Sequence, residues 1–168
     1  MNRRLLRVLS GVGFSALVAA CTPEAEPLGD LLVPSRATFP NVGDALEHRC
    51  ATLDCHGKPE RNLRLYGSSG MRLAQGDVPG QGETTEAEYE ASYRSVIGLE
   101  PEELSLVCEE DGRTPERLSL IRKARGEEAH KGGVRIVPGD DADLCLTSWL
   151  AAATDEAACA RAAESTLP

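Results

Sequence analysis

Aromatic side chains are scarce. The 168 residues include one Trp, three Tyr and two Phe. A core with so few rings must rely on Leu, Val, Ile and Ala, or organise around something that is not protein. Histidine occurs three times and methionine twice, so any metal held by these side chains has few ligands to draw on. The patterns of the common catalytic classes are also missing. There is no Gly-x-Ser-x-Gly, no phosphate loop and no His-Glu-x-x-His. Glu100, Glu102, Glu103, Glu109 and Glu110 read as a solvated helical face rather than an acid/base pair. No catalytic residue is assigned, and no enzymatic activity is expected. Positive charge is in deficit, with 18 Lys+Arg against 27 Asp+Glu and a formal charge of -9. Such a surface repels phosphate backbones, which argues against a nucleic-acid partner. The length suits one domain.

What the chain has is an N-terminal address. Met1–Arg7 is basic, Val8–Ala20 is apolar, and the run closes on Leu17-Val18-Ala19-Ala20-Cys21. The apolar stretch is too short to span a bilayer comfortably, and no second long apolar segment occurs. The Ala-Ala-Cys ending resembles a bacterial lipoprotein lipobox. That resemblance implies that residues 1–20 are a signal peptide and that Cys21 is lipidated. It also implies a bacterial cell-envelope protein, held to the membrane by its lipid anchor. Thr22 after the cysteine, rather than Asp, favours the outer membrane. Export permits disulfides and covalent haem.

Residues 21–40, with Pro23, Pro27, Pro34 and Pro40 and little periodicity, read as a flexible tether, although Leu31, Leu32 and Phe39 could pack on the domain. Residues 41–168 read as one mostly α domain with long loops. The expected helices are Val42–Cys50 capped by Asn41, one opened by a Thr85–Glu88 capping box and closed at Gly98, and one opened by Glu100-Pro101. Further helices are expected after Thr114-Pro115, after Asp140 or Asp141, and after Thr154. Arg61–Tyr66 alternates polar and apolar residues and reads as a short extended piece.

The stretch richest in chemistry is Cys50-Ala51-Thr52-Leu53-Asp54-Cys55-His56-Gly57. Two cysteines followed directly by histidine is the grammar of covalent haem attachment: thiols add across the vinyl groups and the adjacent imidazole becomes the proximal ligand. The usual spacing is two residues, and here it is four. Around this element come the preceding helix, Leu63-Arg64-Leu65, His130-Lys131-Gly132-Gly133 and Leu146-Thr147-Ser148-Trp149-Leu150. In this order, over Val42–Ala152, the chain resembles the small single-haem c-type cytochromes of bacterial lipoproteins and surface proteins. The resemblance implies a cytochrome c-like helical domain with haem c on Cys50 and Cys55, and His56 as proximal ligand. The distal ligand is His130 or Met71, with His130 placed first. The implied activity is electron transfer to a basic redox protein, the acidic surface supplying complementarity.

The same residues permit a second reading, in which no haem is bound. A Cys50–Cys55 disulfide then staples the turn, and the chain is a structural or interaction lipoprotein. A zinc site built from Cys50, Cys55, His56 and Cys108 or His130 lacks the paired Cys-x2-Cys of structural zinc. Cys145 and Cys159 flank the junction of the last two helices, so a bridge between them would pin that hairpin. Cys108 competes for either partner.

Overall fold

The structure, a computed structural model, describes residues 30–165. The expected signal peptide, the lipidation candidate Cys21 and the first part of the expected tether lie outside them. Six α-helices and one short 3-10 turn make up the regular structure, and among the described residues there is no strand. The helices are α1 (Phe39–Cys50), α2 (Glu86–Ile97), α3 (Pro101–Glu109), α4 (Ser119–Arg125), α5 (Asp141–Leu150) and α6 (Glu156–Glu164). The domain is therefore mostly α, as the periodicity indicates. No described helix is long and apolar enough to cross a membrane.

Three of the scarce aromatics meet at one point. Phe39 of α1 stands 5.3 Å from Tyr93 of α2 and 5.4 Å from Trp149 of α5, centroid to centroid. The Trp149–Tyr93 pair closes the triangle at 6.3 Å, edge to face, a geometry that favours aromatic pairs beyond the area they bury. Around them pack Val42, Leu46, Val96, Ile121 and Leu146. α1 lies on α6 and α5, and α2 lies across α1. Cys145 of α5 and Cys159 of α6 are bonded, Sγ–Sγ 2.02 Å, so the hairpin is covalently closed. Closing a loop of that length contributes about 3 kcal/mol in the chain-entropy model.

The aromatic triangle also explains where the expected boundaries fail. Trp149 Nε1 donates to the carbonyl of Ser35 at 2.9 Å, and the Tyr93 hydroxyl donates to that of Pro34 at 2.9 Å. Buried ring donors need partners, and the segment before α1 supplies them. Arg36 adds an ion pair to Glu90 at 2.7 Å. The later part of the expected 21–40 tether is thus docked on the domain, and Phe39 is wholly buried, whereas Leu31 and Leu32 are exposed.

α1 accordingly begins at Phe39, not Val42. Pro40 sits in its first turn, where a missing N–H costs nothing. Asn41 lies inside the helix and caps nothing. The Thr85–Glu88 capping box is fully formed, and Asp140 caps α5. Thr114 does not cap; its hydroxyl donates to Glu110, and a 3-10 turn at Pro115–Arg117 precedes α4. α6 is capped by Asp155 rather than Thr154, whose hydroxyl pairs with that of Thr38 at 2.9 Å. Arg61–Tyr66 forms no strand; only an isolated bridge joins Tyr66 to Met71.

Two buried carboxylates fasten the glycine-rich loop between α1 and α2. Glu47 of α1 accepts from the Ser68 hydroxyl and the Ser69 N–H, each at 2.6 Å, and from the Thr84 hydroxyl at 2.5 Å. Glu88 of α2 is 0% exposed. It accepts from Arg72 Nε at 2.8 Å, from the Leu73 N–H at 3.0 Å and from the Thr85 N–H at 2.8 Å. Burial pushes its carboxyl up, but the Arg72 guanidinium and the Thr85 and Leu73 N–H groups outweigh it and hold the group at about 2. An unfolded glutamate titrates near about 4.3, so Glu88 stabilises the fold above that pH and loses its contribution as pH falls toward 2. We predict that Glu88→Gln lowers stability at pH 7 by about 3 kcal/mol, because it removes the buried partner of Arg72 and leaves it only the exposed Asp77, at 3.6 Å, as counter-ion. In urea titrations the gap to wild type should narrow steadily between pH 4.5 and 2. A gap that stays constant across that range would show that the charge contributes nothing.

Candidate functional site

The cysteine–histidine element begins on the last residue of α1 and turns sharply. Cys50 is the C-terminal residue of the helix. The chain then folds back, with Cys55 N–H donating to Thr52 O at 2.8 Å, His56 N–H to Cys50 O at 2.9 Å and Gly57 N–H to Thr52 O at 3.1 Å. Arg61 holds the turn from outside, its Nε donating to the Cys55 carbonyl at 3.1 Å. Two glycines make the turn possible. A Cβ on Gly57 or on Gly70 would stand 2.0 Å from the Ala51 carbonyl oxygen, so the three backbones approach as only glycine allows.

This turn places His56 on a cleft of about 610 Å³, inside the range of about 300–1,000 Å³ usual for ligand sites. One wall is Cys50, His56 and Leu63; the facing wall comes from α4, through Leu120 and Ala124, and from the loop carrying His130. That loop leaves the end of α4 after Gly126 and returns to it. The N–H groups of Arg135 and Ile136 both donate to the Ala124 carbonyl, at 2.8 and 3.1 Å. Ile136 is buried beneath. Arg49, the buried neighbour of Cys50, donates from Nη1 to the Arg135 carbonyl at 2.9 Å. The ends of the loop are therefore pinned to both α1 and α4, and His130 lies between them. Within the loop a Cβ on Gly132 would stand 2.7 Å from the His130 ring, so the glycine after Lys131 lets the imidazole fold back.

His56 and His130 stand near one another on this cleft. Their rings are nearly parallel, 18° apart, with centroids 5.8 Å apart. His56 Nδ1 is hydrogen-bonded to the Leu63 carbonyl at 3.0 Å, and His130 Nδ1 to the Gly133 carbonyl at 3.4 Å. A carbonyl on Nδ1 makes that nitrogen the donor and leaves Nε2 with a free lone pair, the usual second partner of a metal-bound histidine. Burial lowers the His56 pKa, against the Leu63 hydrogen bond that raises it; neighbouring His130 lowers it further. The shift favours the neutral imidazole, the form that ligates. Two imidazoles binding one ion from opposite sides at about 2.0–2.1 Å would have centroids roughly 6 Å apart. The centroid spacing, the Nδ1 hydrogen bonds and the adjoining Cys50 are compatible with one ion held by both rings. Ligation further requires each Nε2 lone pair, which lies in its ring plane, to turn toward that ion, and Cys55 stands off the cleft.

Other residues picked out by the sequence fall differently. Cys50 is buried on the cleft wall and burial pushes its thiol up to about 12. Cys55 is half-buried and does not line the cleft. Neither sulfur is bonded, to the other or to Cys108. Met71 lines a separate depression with Leu53, Pro59 and Pro79, so the cleft that holds His56 brings in His130 and leaves Met71 out. His48 points away, its Nε2 bonded to the Ser165 carbonyl. Among the described residues no three His, Cys, Asp or Glu side chains converge as for a metal ion, so the zinc set is not assembled. Sequence reasoning missed Arg61, Lys123 and Arg135, all on the cleft; their one signal was basic residues near the motifs of an acidic chain.

Comparison of the chain with protein-family models, curated proteins and solved structures finds no match.

The crowding at the turn generates a test. Gly57→Ala should cost about 3 kcal/mol in urea unfolding, at the upper end of overpacking effects, because the obstacle is backbone and cannot swing aside. Gly76→Ala, whose added methyl meets nothing within 4 Å, should leave the midpoint within about 0.5 kcal/mol of wild type. Similar effects at the two positions would refute the packing described for Ala51.

Proposed function

We propose that this chain is a lipid-anchored electron-transfer protein of the bacterial envelope, carrying one covalent haem. Cys50 and Cys55 provide the thioethers, His56 the proximal imidazole and His130 the distal one. The observation that carries this reading is the approach of His56 and His130, nearly parallel and 5.8 Å apart, with each Nδ1 bonded to a backbone carbonyl. Neither imidazole is spent on a side-chain partner, and both border the cleft that Cys50 lines.

A haem bound there supplies a one-electron couple, and two histidine ligands keep its potential below that of a His/Met pair. The protein's own part is to hold and orient. Leu63 and Gly133 fix the two rings through their carbonyls. Arg49 and Ala124 pin the distal loop. Leu63, Leu99 and Leu120 line the cleft with apolar surface. If His56 and His130 both ligated the iron, it would have no open position for bond chemistry, which is why electron transfer is the activity proposed. The acidic surface favours a basic redox partner. Lipidation of Cys21, with the outer membrane favoured, supplies the anchor.

The test is to produce the full chain with haem c maturation genes and measure intact mass and the reduced-minus-oxidised spectrum. We expect one added haem mass and a low-spin c-type spectrum. His130→Ala should retain the mass and become high-spin, while Met71→Ala should match wild type. No added mass, with a Cys50–Cys55 crosslinked peptide instead, overturns the reading in favour of a haem-free, disulfide-stapled structural lipoprotein.

A further inference from the structure

Resting on the haem reading, we propose that Arg135, assisted by Lys123, forms the carboxylate-binding part of the cleft and pairs with the ligand's two propionates. The cleft carries four cations, Arg61, Lys123, Lys131 and Arg135, against two carboxylates, Glu60 and Glu100. An excess of two positive charges is lodged in a chain whose formal charge is -9. A flat, apolar ligand with two carboxylates matches both the apolar wall and this excess.

The four cations are not equivalent. Arg61 is engaged with the carbonyls of Cys55 and Asp54. Lys131 is exposed at the tip of its loop. Lys123 has Glu128 at 3.3 Å, but Glu128 is also paired with Arg122 at 3.0 Å, so its ammonium is only partly neutralised. Glu100 is held by the N–H and hydroxyl of Ser119, both at 2.7 Å.

Arg135 differs from all of these. Its backbone is tied on both sides, N–H to Ala124 and carbonyl to Arg49. Its side chain is only partly exposed, and its charge is felt at the Cys50 sulfur. Among the described residues no carboxylate lies within 4.0 Å of its guanidinium. A partly buried guanidinium with no counter-ion is costly in a chain so rich in acids. Its planar fork, held on a pinned loop at the cleft wall, is built to take a carboxylate in two parallel hydrogen bonds.

The experiment compares haem with haem dimethyl ester, whose carboxylates are blocked. The full chain bearing Cys50→Ala and Cys55→Ala binds without a covalent link, so affinity becomes measurable from the Soret band. Adding Arg135→Gln should weaken haem binding about tenfold and leave the ester within about twofold. Lys123→Gln should produce a smaller loss of the same selectivity. Unchanged haem affinity, or equal loss for haem and ester, overturns the assignment and leaves the haem reading standing. Binding of neither ligand by a chain whose circular dichroism is still helical overturns the haem reading itself. If the Cys→Ala chain does not fold, the readout is the midpoint potential of the covalently loaded wild type and Arg135→Gln. Loss of the cation should lower it, and an unchanged potential refutes the proposal.

Discussion

The carbonyl oxygen of Ala51 is crowded by Gly57 and Gly70, each so near that a Cβ on either would stand 2.0 Å from it. That approach governs the geometry of the cleft. It lets the chain reverse immediately after α1, so that His56 returns to the carbonyl of Cys50 and shares a cleft wall with it. It also seats the glycine-rich loop against the turn, where the buried carboxylates of Glu47 and Glu88 hold it from the two helices. Remove the close approach and the histidine has no fixed relation to the cysteine.

A second consequence concerns charge. The chain is strongly acidic overall, yet two of its carboxylates are spent inside, on backbone and hydroxyl donors as well as on Arg72. The cleft meanwhile gathers Arg61, Lys123, Lys131 and Arg135. Positive charge is thereby concentrated where an anionic ligand would sit, and the outer surface is left negative. On the proposed reading, attraction to a basic redox protein and local pairing with a ligand's carboxylates would draw on different groups.

Some of this was legible before any coordinates, because it is local. The Thr85–Glu88 box, Pro101 opening a helix and Asp140 capping another are read from neighbouring residues, and each is where the sequence places it. The start of α1 was not legible. Asn41 is the better intrinsic cap, but Phe39 must reach Tyr93 and Trp149, and that tertiary demand draws the helix back three residues. The docking of Pro34 and Ser35 was hidden for the same reason, since its donors are a Tyr and a Trp far along the chain. At the candidate site, Cys50, His56 and His130 were identifiable from residue type and order. The sequence places His130 ahead of Met71 as distal ligand; that His130 and not Met71 shares the cleft with His56 depends on a loop folding back to the carbonyl of Ala124, which residue type does not encode. Leu63, Gly133 and Arg49 act on or through backbone carbonyls, which leave no trace in residue identity.

The four-residue spacing between the cysteines looks, in sequence, like a departure from haem attachment. Attachment through both thiols needs Cys50, Cys55 and His56 at one cavity; Cys50 and His56 line the cleft, and Cys55 stands outside its lining. Hydrogen bonds from Cys55 and Gly57 to Thr52, and from His56 to Cys50, fold the longer loop into one compact turn. Of the four intervening residues, Ala51 is buried and Thr52, Leu53 and Asp54 are exposed. The length added to the motif is thus absorbed away from the cleft, and the wall formed by Cys50 and His56 stays continuous.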